Sequence, residues 1–168
     1  MRSLLILIAI LSLGAFAGAA RAGGGAEEAF LGPCRAHAVV DGDSVDVLCG
    51  SEIARVRLLD VAAPERGEVG YTESGRGLRQ LLEGRQLWLG FALADQPVVD
   101  RDGRALVHLY DVKGRNLNVE LVRLGWATYS TKHGPGRFPA NFRAAQSEAR
   151  AQQRALWSVW SVTAEQAR

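Results

Sequence analysis

Four side chains between Asp41 and Glu65 have the types and spacing to act on an anionic substrate. The stretch reads VVDGDSVDVLCGSEIARVRLLDVAAPE from Val39 to Glu65. Asp41 and Asp43 sit in one tight turn, Arg57 ends an alternating run, and Glu65 follows a proline that stops that run. Carboxylates on a turn suit a hard divalent cation, which takes oxygen ligands. A guanidinium suits bidentate contact with phosphoryl or carboxylate oxygens. A carboxylate left over is a candidate general base. By type alone, Asp-Gly-Asp reads as turn capping, and it is the nearby Arg57 and Glu65 that raise it to a site. Arg104 stands at the start of a later strand, after a second Asp-Gly pair, Asp102-Gly103. An arginine there is ordinarily a surface charge.

The elements that must hold these groups follow from periodicity. An Asp-Gly pair between alternating apolar runs predicts a hairpin with a two-residue type I′ loop, Asp41-Gly42. Partners then sum to 83: Val40 with Asp43, Ala38 with Val45, Ala36 with Val47 and Cys34 with Cys49. That face is Ala, Ala, Val, Val, Val with one intruder, Asp43, which is costly there unless a cation or several donors meet it. The same register opposes the two cysteines within disulfide reach, with Cα atoms ~4.5–5.5 Å apart. A second strand runs from Ile53 to Leu58. Downstream, the pattern predicts a helix from Thr72 or Ser74 to Glu83, strands over Gln86–Ala92 and Ala105–Tyr110, and a helix from Leu117 with Asn116 as N-cap and Gly125 as its stop. A last helix is expected from Asn141 to Trp157, with Trp157 and Trp160 closing the core. Residues 131–140 read as an irregular loop, and His133 as a solvated loop histidine.

These residues also carry a resemblance. Asp41-Gly42-Asp43-Ser44, Arg55-Val56-Arg57-Leu58, Ala63-Pro64-Glu65 and Asp100-Arg101-Asp102-Gly103-Arg104 are similar to the thermonuclease (staphylococcal-nuclease-like) patterns DGDT, RLxGIDAPE and D-x-x-G-R. The similarity continues through Asn118 to Ala127, like N-x-x-L-V-x-x-G-x-A, and ends at Glu148-Ala149-Arg150 and Leu156-Trp157. It spans residues 36 to 158, in order and at matching spacing. It implies an α+β, mainly β fold: a five-stranded OB-fold barrel with three helices. It implies a phosphodiesterase in which Arg57 and Arg104 contact the phosphoryl group and Glu65 either activates water as general base or stands as a water-mediated neighbour of the metal. Asp43 would be a direct Ca2+ ligand, with the Ala63 backbone carbonyl beside it. The chain departs from the pattern at one ligand. Where the family has its second carboxylate, this sequence has Ala62. Asp60 is two strand residues away, ~6.6 Å, too far to substitute without a bend; Asp41 is the better replacement. The resemblance therefore implies a weakly held calcium ion. The family's base-stacking tyrosines are also unmatched around Thr131 and His133, with only Tyr129 nearby.

The whole chain sets the remaining bounds. Its 168 residues leave room for one modest core. Arg2, an apolar run from Leu4 to Leu13 and Ala20-Arg21-Ala22 read as a signal peptide over residues 1–22, with a retained membrane anchor as the alternative. The expected division is a flexible mature terminus at 23–33, a thermonuclease-like domain at 34–160 and a tail at 161–168. Export would place the two cysteines in an oxidising compartment, periplasmic or extracellular, where a bond forms. The 20 basic and 18 acidic residues become 18 and 18 once the two leader arginines are removed, so a generally basic nucleic-acid binder is excluded. The charge is uneven: residues 23–112 hold 9 basic and 15 acidic residues, and residues 113–168 hold 9 and 3. No P-loop, zinc-ligand spacing or internal repeat occurs. Two functions stay open. One is a secreted, monomeric endonuclease that cuts DNA and RNA by metal-assisted in-line attack of water, with no stable membrane association. The other is a catalytically weakened module of the same fold that binds nucleic acid without cutting it.

Overall fold

The computed structural model describes residues 28–92, 99–134 and 136–166. Seven strands and four helices are present among them. Strands β1 (Glu28–Val39), β2 (Ser44–Cys49), β3 (Glu52–Leu58), β5 (Leu87–Ala92) and β6 (Ala105–Asp111) form a sheet that closes in the order β1-β2-β3-β6-β5. Two short strands, β4 (Val61–Ala62) and β7 (Thr128–Tyr129), make a separate ribbon. Helices α1 (Tyr71–Leu82), α2 (Leu117–Arg123), α3 (Pro139–Ala151) and α4 (Leu156–Gln166) complete the chain. No described helix is long and apolar enough to cross a membrane.

The core follows the alternation of the strands. Val45 and Val47 on β2, Val56 and Leu58 on β3, Leu87 and Leu89 on β5, and Val107 and Leu109 on β6 are all buried. Leu78, Leu82, Leu121 and Phe142 close over them from the helices. Pairing is antiparallel except at β3–β6, which is parallel, with Val56 opposite Ala105 and Leu58 opposite Val107. That offset sets the beginning of β6 against the end of β3. Asn118, fully buried, locks the joint. Its amide nitrogen donates to the carbonyls of Leu59 and Val107, at 2.9 and 3.0 Å, and its oxygen accepts from Leu109 N–H at 3.0 Å. Asn116 caps α2, its side chain accepting from the N–H groups of Asn118 and Val119.

Several expectations are corrected. The fold is not a five-stranded OB-fold barrel with three helices: a fourth helix and a second, two-stranded sheet are present. The single helix expected from Asn141 to Trp157 is two, because Gln153 and Ala155 take positive φ, 49° and 44°. The break lets the backbone dock on the end of α2, where Leu156 N–H donates to the Gly125 carbonyl and the Arg154 guanidinium to that of Arg123. β1 begins at Glu28 and pairs with β5, so residues 28–33 are strand rather than a flexible terminus. Residues 1–22, read as a leader, lie outside the described residues. The hairpin register holds at its far end, Cys34 opposite Cys49, but slips between Ala36 and Ala38, so that Val39 rather than Ala38 meets Val45. The loop is correspondingly wider than two residues, and Gly42 does not take positive φ. Cys34 and Cys49 are joined by a disulfide, with Cα atoms 4.3 Å apart.

Candidate active site

The site forms where β2 begins, β3 ends and β6 begins. Ser44 is opposite Arg57 in the β2–β3 ladder, and Arg104 directly precedes β6. Asp43, at 3% exposure, is the buried acid between them. Its Oδ2 meets Arg57 Nη2 at 2.7 Å and accepts from Ala63 N–H at 2.9 Å, while its Oδ1 accepts from the Ser44 hydroxyl at 3.3 Å. Arg104 Nη1 in turn donates to Ser44 Oγ at 3.2 Å. Asp100 anchors Arg104 from behind, accepting from its backbone N–H at 2.9 Å and from its Nε at 2.7 Å. Asp100, Arg104, Ser44, Asp43 and Arg57 thus form one chain of polar contacts. Ser44 and Asp100 were not singled out from the sequence; the signal for Asp100 was the Asp-x-Asp-Gly-Arg turn, whose first carboxylate commonly caps the loop.

Glycine at 42 is required by close approach. A Cβ there would lie 1.9 Å from Ser74 Oγ on α1 and 2.5 Å from the Ala63 Cβ. The acidic turn is therefore pressed between α1 and the loop that leads to Glu65. Asp41 joins the turn through Oδ1, which accepts from Asp43 N–H at 3.0 Å. Glu65 lies two residues past Ala63, exposed, just after buried Pro64. Its loop is held by reciprocal contacts, Glu65 N–H to Glu68 Oε2 at 2.7 Å and Glu68 N–H to the Glu65 carbonyl at 2.9 Å.

Burial pushes the Asp43 carboxyl up to about 6, against the pull of the Arg57 charge and the Ala63 N–H; the negative charge of Asp41 adds to the rise. Asp100 goes the other way. Burial would raise it, but the Arg104 N–H, the guanidinium and the Asp102 N–H hold it below the usual carboxylate range. Arg57 Nε is a buried donor with no acceptor.

The other expected ligands fare differently. Ala62 is half-buried on β4, opposite Thr128, whose hydroxyl donates to the Ala62 carbonyl at 3.2 Å. What Ala63 gives Asp43 is its N–H. Asp60 is not brought to the site: it takes φ 63° and turns into the core, where Oδ2 lies 3.2 Å from His108 Nε2 and both side chains are 1% exposed. Gly136 packs on that carboxylate, since a Cβ there would fall 2.1 Å from Asp60 Oδ2. No group of three or more His, Cys, Asp or Glu side chains that could hold a metal gathers among the described residues. Ca2+ takes 6–8 oxygens with several carboxylates among them. Asp43, already engaged by Arg57 and Ala63, with Asp41 beside it, does not make such a cage.

One guanidinium on a buried carboxylate and a second on the adjacent serine, with a further carboxylate in the adjoining loop, suit an anionic ester. Residues 55–159 match the family model described as staphylococcal nuclease homologue. This chain belongs to that family. Similar proteins include Protein ParB of Escherichia coli, 34% identical over 128 residues, covering 71% of this chain and 69% of that protein. An uncharacterized endonuclease of Escherichia coli O157:H7 is 31% identical over 121 residues, covering 71% and 73%. The micrococcal nuclease of Shigella flexneri is 30% identical over 128 residues, covering 71% and 70%. Membership in the staphylococcal nuclease homologues places the chain among nuclease-type hydrolases, with nucleic acid as the substrate class.

Proposed function

We propose that the mature chain is an exported endonuclease that hydrolyses DNA and RNA, with Arg57, Arg104 and Glu65 as its catalytic residues. The observation that carries this reading is the contact chain through Asp100, Arg104, Ser44, Asp43 and Arg57, which ties the two guanidiniums to adjacent residues, Ser44 and Asp43. A phosphodiester repels an incoming water oxygen, so hydrolysis needs its charge met and the water activated. Arg57 and Arg104 hold the phosphoryl oxygens. Glu65 takes a proton from water as the water oxygen bonds to phosphorus; on the opposite side the P–O bond to the leaving oxygen breaks, and that oxygen takes a proton from solvent. Asp43 keeps Arg57 in place. Ca2+ enters this reading only as a weakly held ion, and no step above runs through it. Cleavage of a leader after Ala22 would leave a monomer in the periplasm or outside the cell, and the Cys34–Cys49 disulfide supports an oxidising compartment.

The rival reading, a non-cutting nucleic-acid-binding module, is favoured by one observation: Ala62 where a second acidic ligand would stand. Purified mature protein on single-stranded DNA and on RNA, across a calcium titration with chelator control, separates them. Cleavage that is lost in Glu65→Ala supports the enzyme, with or without calcium. Binding without cleavage at any calcium concentration replaces it with the module.

A further inference from the structure

A groove between β1 and α1 leads away from the acidic turn. Its near part, about 250 Å³, is lined by Asp41, Tyr71, Thr72, Arg76 and Arg79. Its far part, about 530 Å³, is lined by Arg35, His37, Arg79, Glu83 and Arg85. Val39 and Arg79 line both, so the two parts adjoin. Ala36 and Leu82 give it apolar walls.

Its charge runs against its surroundings. Residues 23–112 carry 9 basic and 15 acidic residues, yet four of those nine arginines, Arg35, Arg76, Arg79 and Arg85, line this one groove against two acids, Asp41 and Glu83. The state of the cations matters as much as their number. Arg55, Arg57, Arg104, Arg115 and Arg123 each meet a carboxylate. Among the described residues Arg35, Arg76 and Arg79 have no such partner, and all three are exposed. Arg76 and Arg79, three apart on α1, lie on neighbouring positions of one helix face. Tyr71, at the end beside Asp41, adds a ring on which a base can stack.

We propose that this groove is a track for single-stranded nucleic acid, in which Arg35, Arg76 and Arg79 hold the backbone phosphates of nucleotides beyond the one at Arg57 and Arg104. The proposal rests on the nuclease reading for its substrate class. Nearness to the acidic turn favours a polynucleotide over an anionic membrane, because a strand held at Arg57 and Arg104 must leave along a neighbouring surface. A cationic groove that tracks the backbone, with an aromatic ring on its wall, is how proteins hold single strands without reading their sequence.

The test uses the triple variant Arg35→Ala, Arg76→Ala, Arg79→Ala of the full mature chain, and the matching triple lysine variant. Binding of a fluorescent 20-nucleotide single strand is followed against salt in a Glu65→Gln background with calcium present. Each phosphate contact on a single strand contributes ~0.7 to the slope of log affinity against log salt. The alanine triple should bind more weakly, with a slope shallower by about 2, and the lysine triple should keep the wild-type slope. Hydrolysis of bis(p-nitrophenyl) phosphate, too short to enter the groove, should be unchanged when Glu65 is present. An unchanged slope, or no oligonucleotide binding by the parent, overturns the track. So does loss of binding to anionic lipid vesicles without loss of binding to the strand. Cleavage of the short diester with an unchanged slope removes the track and leaves the nuclease. A shallower slope with no cleavage of any substrate removes the nuclease and leaves the track.

Discussion

The two Asp-Gly turns of this chain, Asp41-Gly42-Asp43 and Asp100 to Arg104, look alike in sequence and differ in every physical respect that matters to the site. In the first, the glycine is needed for space, because α1 closes on it. In the second, Gly103 takes φ 74° with nothing within 4 Å of a Cβ, so it is needed for the bend. The carboxylates diverge as well. Asp43 is buried with one guanidinium and one N–H on the same oxygen, and its pKa rises to about 6. Asp100 is also largely buried but receives two backbone N–H groups and a guanidinium, and its pKa falls. At Asp43 burial and the nearby Asp41 charge outweigh the donors, whereas at Asp100 the donors outweigh burial. One turn holds a reluctant anion at the centre of the site, and the other holds a comfortable anion that aims Arg104.

The largest effects should come from removing what the two turns aim. Arg57→Ala and Arg104→Ala should each lower turnover ~10²–10³-fold, the usual cost of a lost transition-state donor. Glu65→Ala should cost ~10²–10⁴-fold, as for a positioned general base. The fold should survive all three, measured by circular dichroism and melting, because none of these side chains packs in the apolar core. Full activity in Arg104→Ala would show that the second turn aims nothing of use.

The next effect separates the turns by pH. The Asp43 carboxyl rises from 3.8 when unfolded to about 6 when folded, so between those values the folded state binds more protons. Its contribution to stability is fully present below about pH 4 and is lost as pH rises past about 6. With ~1.4 kcal/mol per pKa unit, the swing is on the order of 3 kcal/mol. Asp43→Asn, measured by denaturant unfolding in chelator, should remove that part of the pH dependence. Asp100→Asn should have the opposite sense: a lowered carboxyl stabilises above its unfolded pKa, and its loss should be felt most at neutral pH. Parallel pH profiles for wild type and Asp43→Asn would mean that the first turn is not an electrostatic burden.

Much of this was legible because local signals and tertiary packing agree. The alternation of β2 and β3, the Asn116 cap and the Cys34–Cys49 pairing depend on neighbours close in sequence, or on a register fixed by apolar faces. What was illegible depends on distant partners. The bulge in β1 between Ala36 and Ala38 changes no residue type, yet it widens the loop and rules out a two-residue turn. Gly42 serves a helix more than thirty positions away, at Ser74. The break between α3 and α4 carries no glycine or proline: Gln153 and Ala155 accept positive φ so that Leu156 can reach Gly125. Ser44 reads as an ordinary strand residue until closure of the sheet brings Arg104 to it.

The smallest effect, and the one that best sharpens the contrast between the turns, comes from adding charge at Ala62. Ala62 directly precedes the residue whose N–H binds Asp43, and it is half-buried beside Thr128. In chelator, Ala62→Asp puts another negative charge near a carboxyl that burial and Asp41 already disfavour, so the melting temperature should fall. Calcium should reverse the sign. A second carboxylate gives the ion a pair of anionic ligands, and an ion that binds only the folded state stabilises it, by ~2.7 kcal/mol at a hundredfold excess over Kd. The variant should therefore melt below wild type in chelator and recover with added calcium. The same substitution at exposed Asp102's neighbour, Arg101→Asp, should show no calcium-dependent rise, since the second turn already satisfies its carboxylate with donors. If Ala62→Asp changes neither calcium affinity nor calcium-dependent melting, position 62 does not face the ion, and the first turn is a scaffold for Arg57 rather than a cation site.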